Sequence, residues 1–209
     1  MDFIQQSNNF YSITKNKLSK WFININYFNK ILNNNCIISG SFIIELLLND
    51  NYNNNDLDIY TNSNNLYKLL EYLKIEKYDI YYKKRNNIDY RLHINNNIKH
   101  VYYFINKKKN TYIDIILCNN PTETVKYFDL KICKNYYNGK NIFVLYPCII
   151  QKKVENIDNT DYDNIYKISY TKNRMNKYIS RGFKFIIDKN SKILDSIIFI
   201  NNKFELLKN

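Results

Sequence analysis

The 209-residue chain has no alanine, only three glycines, two prolines, one tryptophan and two histidines. Each shortage narrows the field. The four cysteines (Cys36, Cys118, Cys133 and Cys148) lie far apart, form no C-x-x-C pair and stand near neither His93 nor His100. That spacing argues against a zinc site or a disulfide framework, and each cysteine reads as a small reduced core residue. Long apolar runs are missing too: the longest, over residues 36–48, carries Ser, Gly and Glu and is too short to span a bilayer. The opening MDFIQQSNN lacks the basic and apolar regions of a secretory signal. No membrane role is expected, and the expected setting is the cytoplasm.

Asn, Ile, Lys and Tyr take the place of the missing residues, as an AT-rich coding sequence would dictate. Hydrophobic residues make up 45% of the chain, enough to fill one core, and no internal repeat is visible. The formal charge is +12, from 31 basic against 19 acidic side chains, which points to a polyanionic partner. AT-rich codons inflate lysine, yet they favour Asp and Glu as well, so nucleic acid stays the favoured partner. The asparagine clusters at 33–35, 53–55 and 95–97 read as swollen loops.

Periodicity predicts helical structure over residues 10–33, with Trp21, Phe22, Ile25 and Phe28 on one side. It then predicts a short buried strand at 36–38, a helix at 41–48 with Ser41 as N-cap, a strand at 56–60 and a helix at 66–73. Strands are expected at 78–82, 90–94, 100–105 and 112–118, the last two joined by a turn at 107–110. A short helix follows Pro121. Residues 128–137 and 142–145 read as strands around Asn138-Gly139, a hairpin signal, and a helix over 172–180 stops at Arg181-Gly182. Gly139 and Gly182 thus have structural readings, which leaves Gly40 for chemistry. The apolar tail at 197–200 is expected to pack back on the domain. This order predicts an α+β fold with a mixed sheet and flanking helices.

Two features carry chemistry. In Asp56-Leu57-Asp58-Ile59, strand alternation points both aspartates to one side and both apolar residues to the other. Carboxylates this close repel unless a cation sits between them, and hard oxygen ligands suit Mg²⁺. Ahead of them, Gly40-Ser41 sits between a strand and a helix, where a missing Cβ and the helix amides suit an approaching phosphate. With thirteen aspartates, about one D-x-D arises by chance, and Asp161-Tyr162-Asp163 is a second example, in a polar loop. A third acid separates the cases. Asp114 lies in the apolar stretch Thr111-Tyr112-Ile113-Asp114-Ile115-Ile116-Leu117, where an unpaired buried carboxylate costs several kcal/mol, so it needs a partner. That partner is either a lysine on a half-exposed strand or the metal of a two-metal clamp.

The pattern of Gly40-Ser41, Asp56-Leu57-Asp58-Ile59 and Ile113-Asp114-Ile115 resembles the DNA polymerase β-like nucleotidyltransferase superfamily. The resemblance implies a catalytic core over 36–146, preceded by a helical segment (1–35) and followed by an extension (147–209) packed on it as one compact unit. It implies that Asp56, Asp58 and Asp114 bind two Mg²⁺ or Mn²⁺ ions, with Asp114 also activating the attacking hydroxyl. Gly40 and Ser41 would hold an NTP. Asp129, in Phe128-Asp129-Leu130, competes as third acid, though it reads better as a fold anchor. A narrower resemblance, carried by Phe128-Asp129-Leu130, Cys133, Tyr137-Asn138-Gly139, Lys177-Tyr178 and Arg181-Gly182-Phe183, is to nucleotidyltransferase-like proteins of large DNA viruses and some fungi and protists, and the AT-rich composition favours the viruses. A viral source would make the setting a host cytoplasm or virus factory.

Arg174, Lys177, Tyr178 and Arg181 share a helix face by spacing, in a chain with four arginines. They either grip the NTP or an RNA backbone, or form a solvated face. The expected function is transfer of a nucleoside monophosphate from an NTP to a hydroxyl, foremost an RNA 3′ end or another nucleotide-containing acceptor, with pyrophosphate release. The alternative is a catalytically silent relative that binds nucleic acid or a host protein. The oligomeric state is not legible.

Overall fold

A computed structural model describes residues 2–4, 8–81, 97–146, 149–150, 152–155, 165–187 and 204–206. The sequence-based strand at 90–94, the tail at 197–200, and Asp161, Asp163, Arg85, Arg91, His93 and Cys148 lie outside them.

The helical stretch expected at 10–33 divides into α1 (Asn8–Leu18) and α2 (Ile25–Ile31). The break has a local cause, because the Asn24 side chain accepts the Tyr27 N–H at 3.0 Å and caps α2. The link between the helices is held by buried Glu76. Its Oε1 accepts the N–H groups of Ile23 (2.8 Å) and Asn24 (3.1 Å) and the Tyr72 hydroxyl (2.7 Å). Next come β2 (Cys36–Ser39), α3 (Ser41–Leu48), β3 (Asp56–Thr61) and α4 (Ser63–Ile75). The strands β4 (Asp79–Ile80), β5 (Ile98–Asn106) and β6 (Thr111–Cys118) follow, with the β5–β6 turn at the expected place. Asn120 caps α5 (Pro121–Lys126), which has proline in its first turn.

Two expectations change downstream. Residues 128–137 form no continuous strand: a 3₁₀ turn occupies Lys131–Cys133, and only β7 (Tyr136–Tyr137) is extended. The hairpin to β8 (Ile142–Val144) closes between Asn138 and Asn141, so its loop is Gly139-Lys140, one residue later than the Asn-Gly signal suggests. The last helix, α6 (Ile165–Ser180), starts earlier than expected. It ends as expected: the Gly182 and Phe183 N–H groups bond back to the carbonyls of Ile179 (2.9 Å) and Tyr178 (3.1 Å). A small parallel sheet joins β9 (Lys153–Glu155), β10 (Lys184–Ile187) and β11 (Phe204–Leu206).

The main sheet has eight strands in the order β1-β8-β7-β2-β3-β6-β5-β4, where β1 (Asp2–Ile4) is an edge strand not anticipated from the sequence. Its pairs are antiparallel except β3 with β6. Alternation divides the core in two. Ile38, Leu57, Ile59, Ile113 and Ile115 pack with Trp21, Phe22, Phe28, Leu69 and Tyr72 in one cluster. Ile37, Tyr60, Ile116 and Cys118 pack with Leu130, Met175, Tyr178, Ile179 and Phe183 in the other. Cys36, Cys118 and Cys133 are free thiols buried in these clusters, as their apolar neighbours suggest.

Gly139 has φ +90°, and a Cβ there would collide with the Asn29 carbonyl oxygen and come within 2.8 Å of the Leu32 Cβ. Both the backbone conformation and the closeness of α2 demand glycine. Gly139→Ala is expected to cost about 2–4 kcal/mol, lowering Tm by roughly 4–16 °C. A thermal melt within a degree of wild type would mean that the hairpin does not seat on α2 in this way.

Candidate active site

The register of β2, β3, β6 and β5 builds one cross-sheet row. Ser39 pairs with Asp58, Asp58 with Asp114, and Asp114 with Tyr103. Paired residues point to the same face, so these four side chains stand side by side on the face that carries the second core cluster. Asp56 lies two residues before Asp58 on that face, exposed at the entrance of β3; Asp58 is half-buried and Asp114 buried. The three acids singled out from sequence are therefore brought together.

Their charges are felt. The Asp58 carboxyl is pushed up to about 7, first by burial, then by the neighbouring Asp114 and Asp56. Lys177 and Arg174 on α6 pull it down without offsetting those effects. Crowded oxygen donors of this kind suit a divalent cation. Among the described residues, however, no three His, Cys, Asp or Glu side chains already converge on a common metal-binding point. The donor set thus fits such an ion in kind, with the carboxylates needing to turn toward it.

Gly40 has a duty that its sequence position alone does not reveal. With φ +82° and ψ −151° it occupies a region that is essentially glycine-only, and a Cβ would lie 2.6 Å from Asp58 Oδ2. The missing side chain makes room for Asp58. Gly40, not Ser41, is also the N-cap of α3; Ser41 is the buried first helical residue, so the expected Ser41 cap is corrected. The amino-terminal end of α3 nonetheless opens beside Asp58.

The basic stripe resolves into separate roles. Arg174 forms an ion pair with Asp129 and donates from Nη2 to Cys133 Sγ at 3.2 Å. Asp129 also accepts the Thr171 hydroxyl (3.0 Å) and the Leu130 N–H (2.8 Å). It ties α6 to the chain after α5, which suits the anchor reading of Phe-Asp-Leu. Arg181 lies 4.3 Å over the Tyr52 ring and donates to Asn54 Oδ1 at 2.9 Å. Lys177 is exposed and acts on Asp58. Tyr178 is buried against Phe183 and bonds Cys133 at 3.3 Å. The expected common face therefore serves three ends, and two of its cations are used inside the protein.

The partners of Arg181 were not legible in sequence. Asn54 is buried, donates to Glu45 Oε2 at 2.7 Å, and offers its carbonyl to Lys20. Tyr52 donates to Asp50 at 2.7 Å. These residues fix the loop that leads into Asp56, and nothing in an asparagine run marks one member as buried. Cavities of about 540 Å³ (between Tyr27 and Tyr67) and about 420 Å³ (between Lys17 and Asn54) lie elsewhere, and neither is lined by the three aspartates. No helix among the described residues is long and apolar enough to cross a membrane.

Compared with known proteins, the chain matches a model described as Gabija anti-defense 2 family protein over residues 12–153, a stretch that includes both aspartate strands. No curated protein sequence matches it. Among solved structures it is similar to a CCA-adding enzyme in complex with CTP, at 16% identity and a TM-score of 0.54 over 83% of this chain and 43% of that one. It is also similar to the Thermotoga maritima CCA-adding enzyme complexed with tRNA, at 16% identity and a TM-score of 0.57 over 88% of this chain and 44% of that one. The chain spans less than half the length of those enzymes. The likeness shows the fold, an α+β nucleotidyltransferase core with a mixed sheet.

Because the Asp58 carboxyl has a higher pKa in the folded than in the unfolded chain, its contribution to stability is present at low pH. It is lost as pH rises from about 4 to about 7. Asp58→Asn, which cannot ionise, is expected to stabilise the metal-free protein at pH 8 by about 1–2 kcal/mol, or roughly 2–8 °C in Tm. The advantage should shrink as pH falls toward 4. Melts in EDTA across this range test it, and a variant no more stable than wild type at pH 8 would sink the account of crowded carboxylates.

Proposed function

The chain belongs to the Gabija anti-defense 2 family, and on that premise we propose that it is a metal-dependent nucleotidyltransferase acting on an NTP and a hydroxyl acceptor, foremost an RNA 3′ end. The observation that carries this reading is the pairing of Asp58 with Asp114 beside Asp56, with the Asp58 carboxyl held near neutrality. Carboxylates so crowded are poor as a structural device and well suited to a cation.

Asp56, Asp58 and Asp114 would hold two Mg²⁺ or Mn²⁺ ions. When bound, such ions neutralise charge on the transferring phosphate and favour ionisation of the attacking hydroxyl. The chain itself does the rest. The N-terminal turn of α3, opening at Ser41, presents amides to the triphosphate, and Lys177 adds a positive charge from the facing helix. Asp114 takes the proton of the attacking hydroxyl. The acceptor oxygen bonds to the α-phosphorus, the bond from that phosphorus to the bridging oxygen breaks, and pyrophosphate leaves with the electron pair. Positioning and charge carry the reaction, and no covalent enzyme intermediate is needed. Arg174 and Arg181 serve indirectly, by holding α6 and the loop before Asp56.

A second reading has an observation of its own. Among the described residues no three acids converge on one metal-binding point, and the family's description names opposition to a defence system rather than a reaction. A silent nucleotidyltransferase fold that binds nucleic acid or a host protein would fit both. Support for a viral source still comes from the AT-rich composition and the narrower sequence resemblance.

Labelled NTPs incubated with the protein, Mg²⁺ or Mn²⁺, and total RNA test the leading reading. Asp58→Ala is expected to lower transfer by about 10²–10³-fold or more while the protein stays folded. Ser41→Ala should lower it only a few fold, because the backbone amides remain. Gly40→Ala should resemble Asp58→Ala, since the new Cβ displaces that carboxylate. Full turnover by Asp58→Ala would remove the metal site from the mechanism. Nucleotide binding that ignores Mg²⁺, with no transfer, would favour the binding module.

A further inference from the structure

The carboxylate row does not stop at Asp114. Tyr103 is its partner on β5, and the Tyr81 N–H bonds the Tyr103 carbonyl at 2.7 Å, carrying the β4–β5 register one residue further. Tyr81, 40% exposed, therefore stands on the same face as Asp114, one strand beyond Tyr103. Tyr112 shares that face two residues before Asp114, and its ring is 6.2 Å from Tyr81 in an edge-on arrangement. Tyr103 and Tyr112 are half-buried. Beside them the β5–β6 turn carries Lys107 and Lys108, both exposed, while Asp79 lies opposite Ile105 at the outer edge.

The two sides of the carboxylate row thus differ in chemistry. Toward β2 lie the end of α3 and Lys177, suited to a triphosphate. Toward β4 lie three partly exposed phenol rings with lysines nearby. Aromatic faces next to cations suit unpaired nucleobases, whose stacking is tolerant of sequence and whose phosphates need neutralising. We propose that Tyr81, Tyr103 and Tyr112 form a stacking platform for the unpaired 3′-terminal bases of the RNA acceptor, placing its terminal hydroxyl beside Asp114. The choice of RNA as occupant rests on the transferase reading, on continuity with the carboxylate row, and on the net charge of +12.

The site calls for a strand whose last bases are not in a duplex, because a paired end offers only its outermost face to a ring. It predicts little discrimination between bases, since every base offers a ring face and stacking reads no hydrogen-bonding edge. Tyr81 is the member to test. It is exposed and at the sheet edge, so its removal leaves the core untouched.

Fluorescence anisotropy of a short labelled single-stranded RNA measures the platform, without turnover. Tyr81→Ala is expected to weaken binding about tenfold, and Tyr81→Phe and Tyr81→Trp to bind like wild type. The same RNA with abasic 3′-terminal positions should bind wild type about tenfold more weakly and be indifferent to Tyr81→Ala. Equal affinity of Tyr81→Ala and wild type, equal loss in Tyr81→Ala and Tyr81→Phe, or full affinity for the abasic strand would each overturn the proposal. So would wild-type protein that binds no RNA. Mg²⁺-dependent NTP binding, measured on the same proteins, keeps the two readings apart. If NTP binds and Tyr81→Ala leaves RNA affinity intact, the platform fails alone; if RNA stacking holds and NTP never binds, the transferase reading fails alone.

Discussion

The site depends on the parallel pairing of β3 with β6. Leu57 and Ile59 on one strand and Ile113 and Ile115 on the other are fully buried in the same cluster, so the pair can meet in only one register. A slip of either strand by one residue would turn its two apolar side chains out of that core. Burial of these residues, each worth about 1.5–3 kcal/mol, therefore aligns Asp58 with Asp114 against their mutual repulsion. Core packing pays for the placement of the acids.

Around this pair, neighbouring elements set distances rather than supply chemistry. Gly40 lets β2 approach Asp58 closely, and Asp129 with Arg174 fixes α6 over the same face. Arg181, stacked on Tyr52 and bonded to Asn54, joins the end of α6 to the loop before Asp56. Lys20 reaches that loop from the other side, toward the Asn54 carbonyl and Asn55 Oδ1. The basic side chains thus divide their labour. Some brace the backbone that carries the acids, and Lys177 remains exposed above them.

Much of this was legible because strand alternation is a strong signal. The runs around Asp56 and Asp114 show acids on one face and branched apolar residues on the other, which predicted a shared face for the aspartates. The strand-Gly-Ser-helix order was equally plain. Residues 128–137 were misread because Phe, Leu, Ile, Cys and Tyr have strand-like composition, while Asp129 and Asn135 bond the local backbone and curl it. The partners of the arginines were not legible because helical spacing tells which residues share a face and says nothing of what faces them. The Tyr103 and Tyr81 positions needed the sheet order, since only register brings them into the row of Asp114.

The connection between β3 and β6 also shapes how the molecule assembles. The two strands are parallel, so the chain must complete α4, β4 and the whole β5–β6 hairpin before they can meet. Helices and hairpins form from local contacts, whereas this pairing closes a long loop and comes late. Repulsion between Asp58 and Asp114 is then absent from the early, local structures and enters with the closing step. The polypeptide can build most of its architecture before it encounters the electrostatic conflict at its centre.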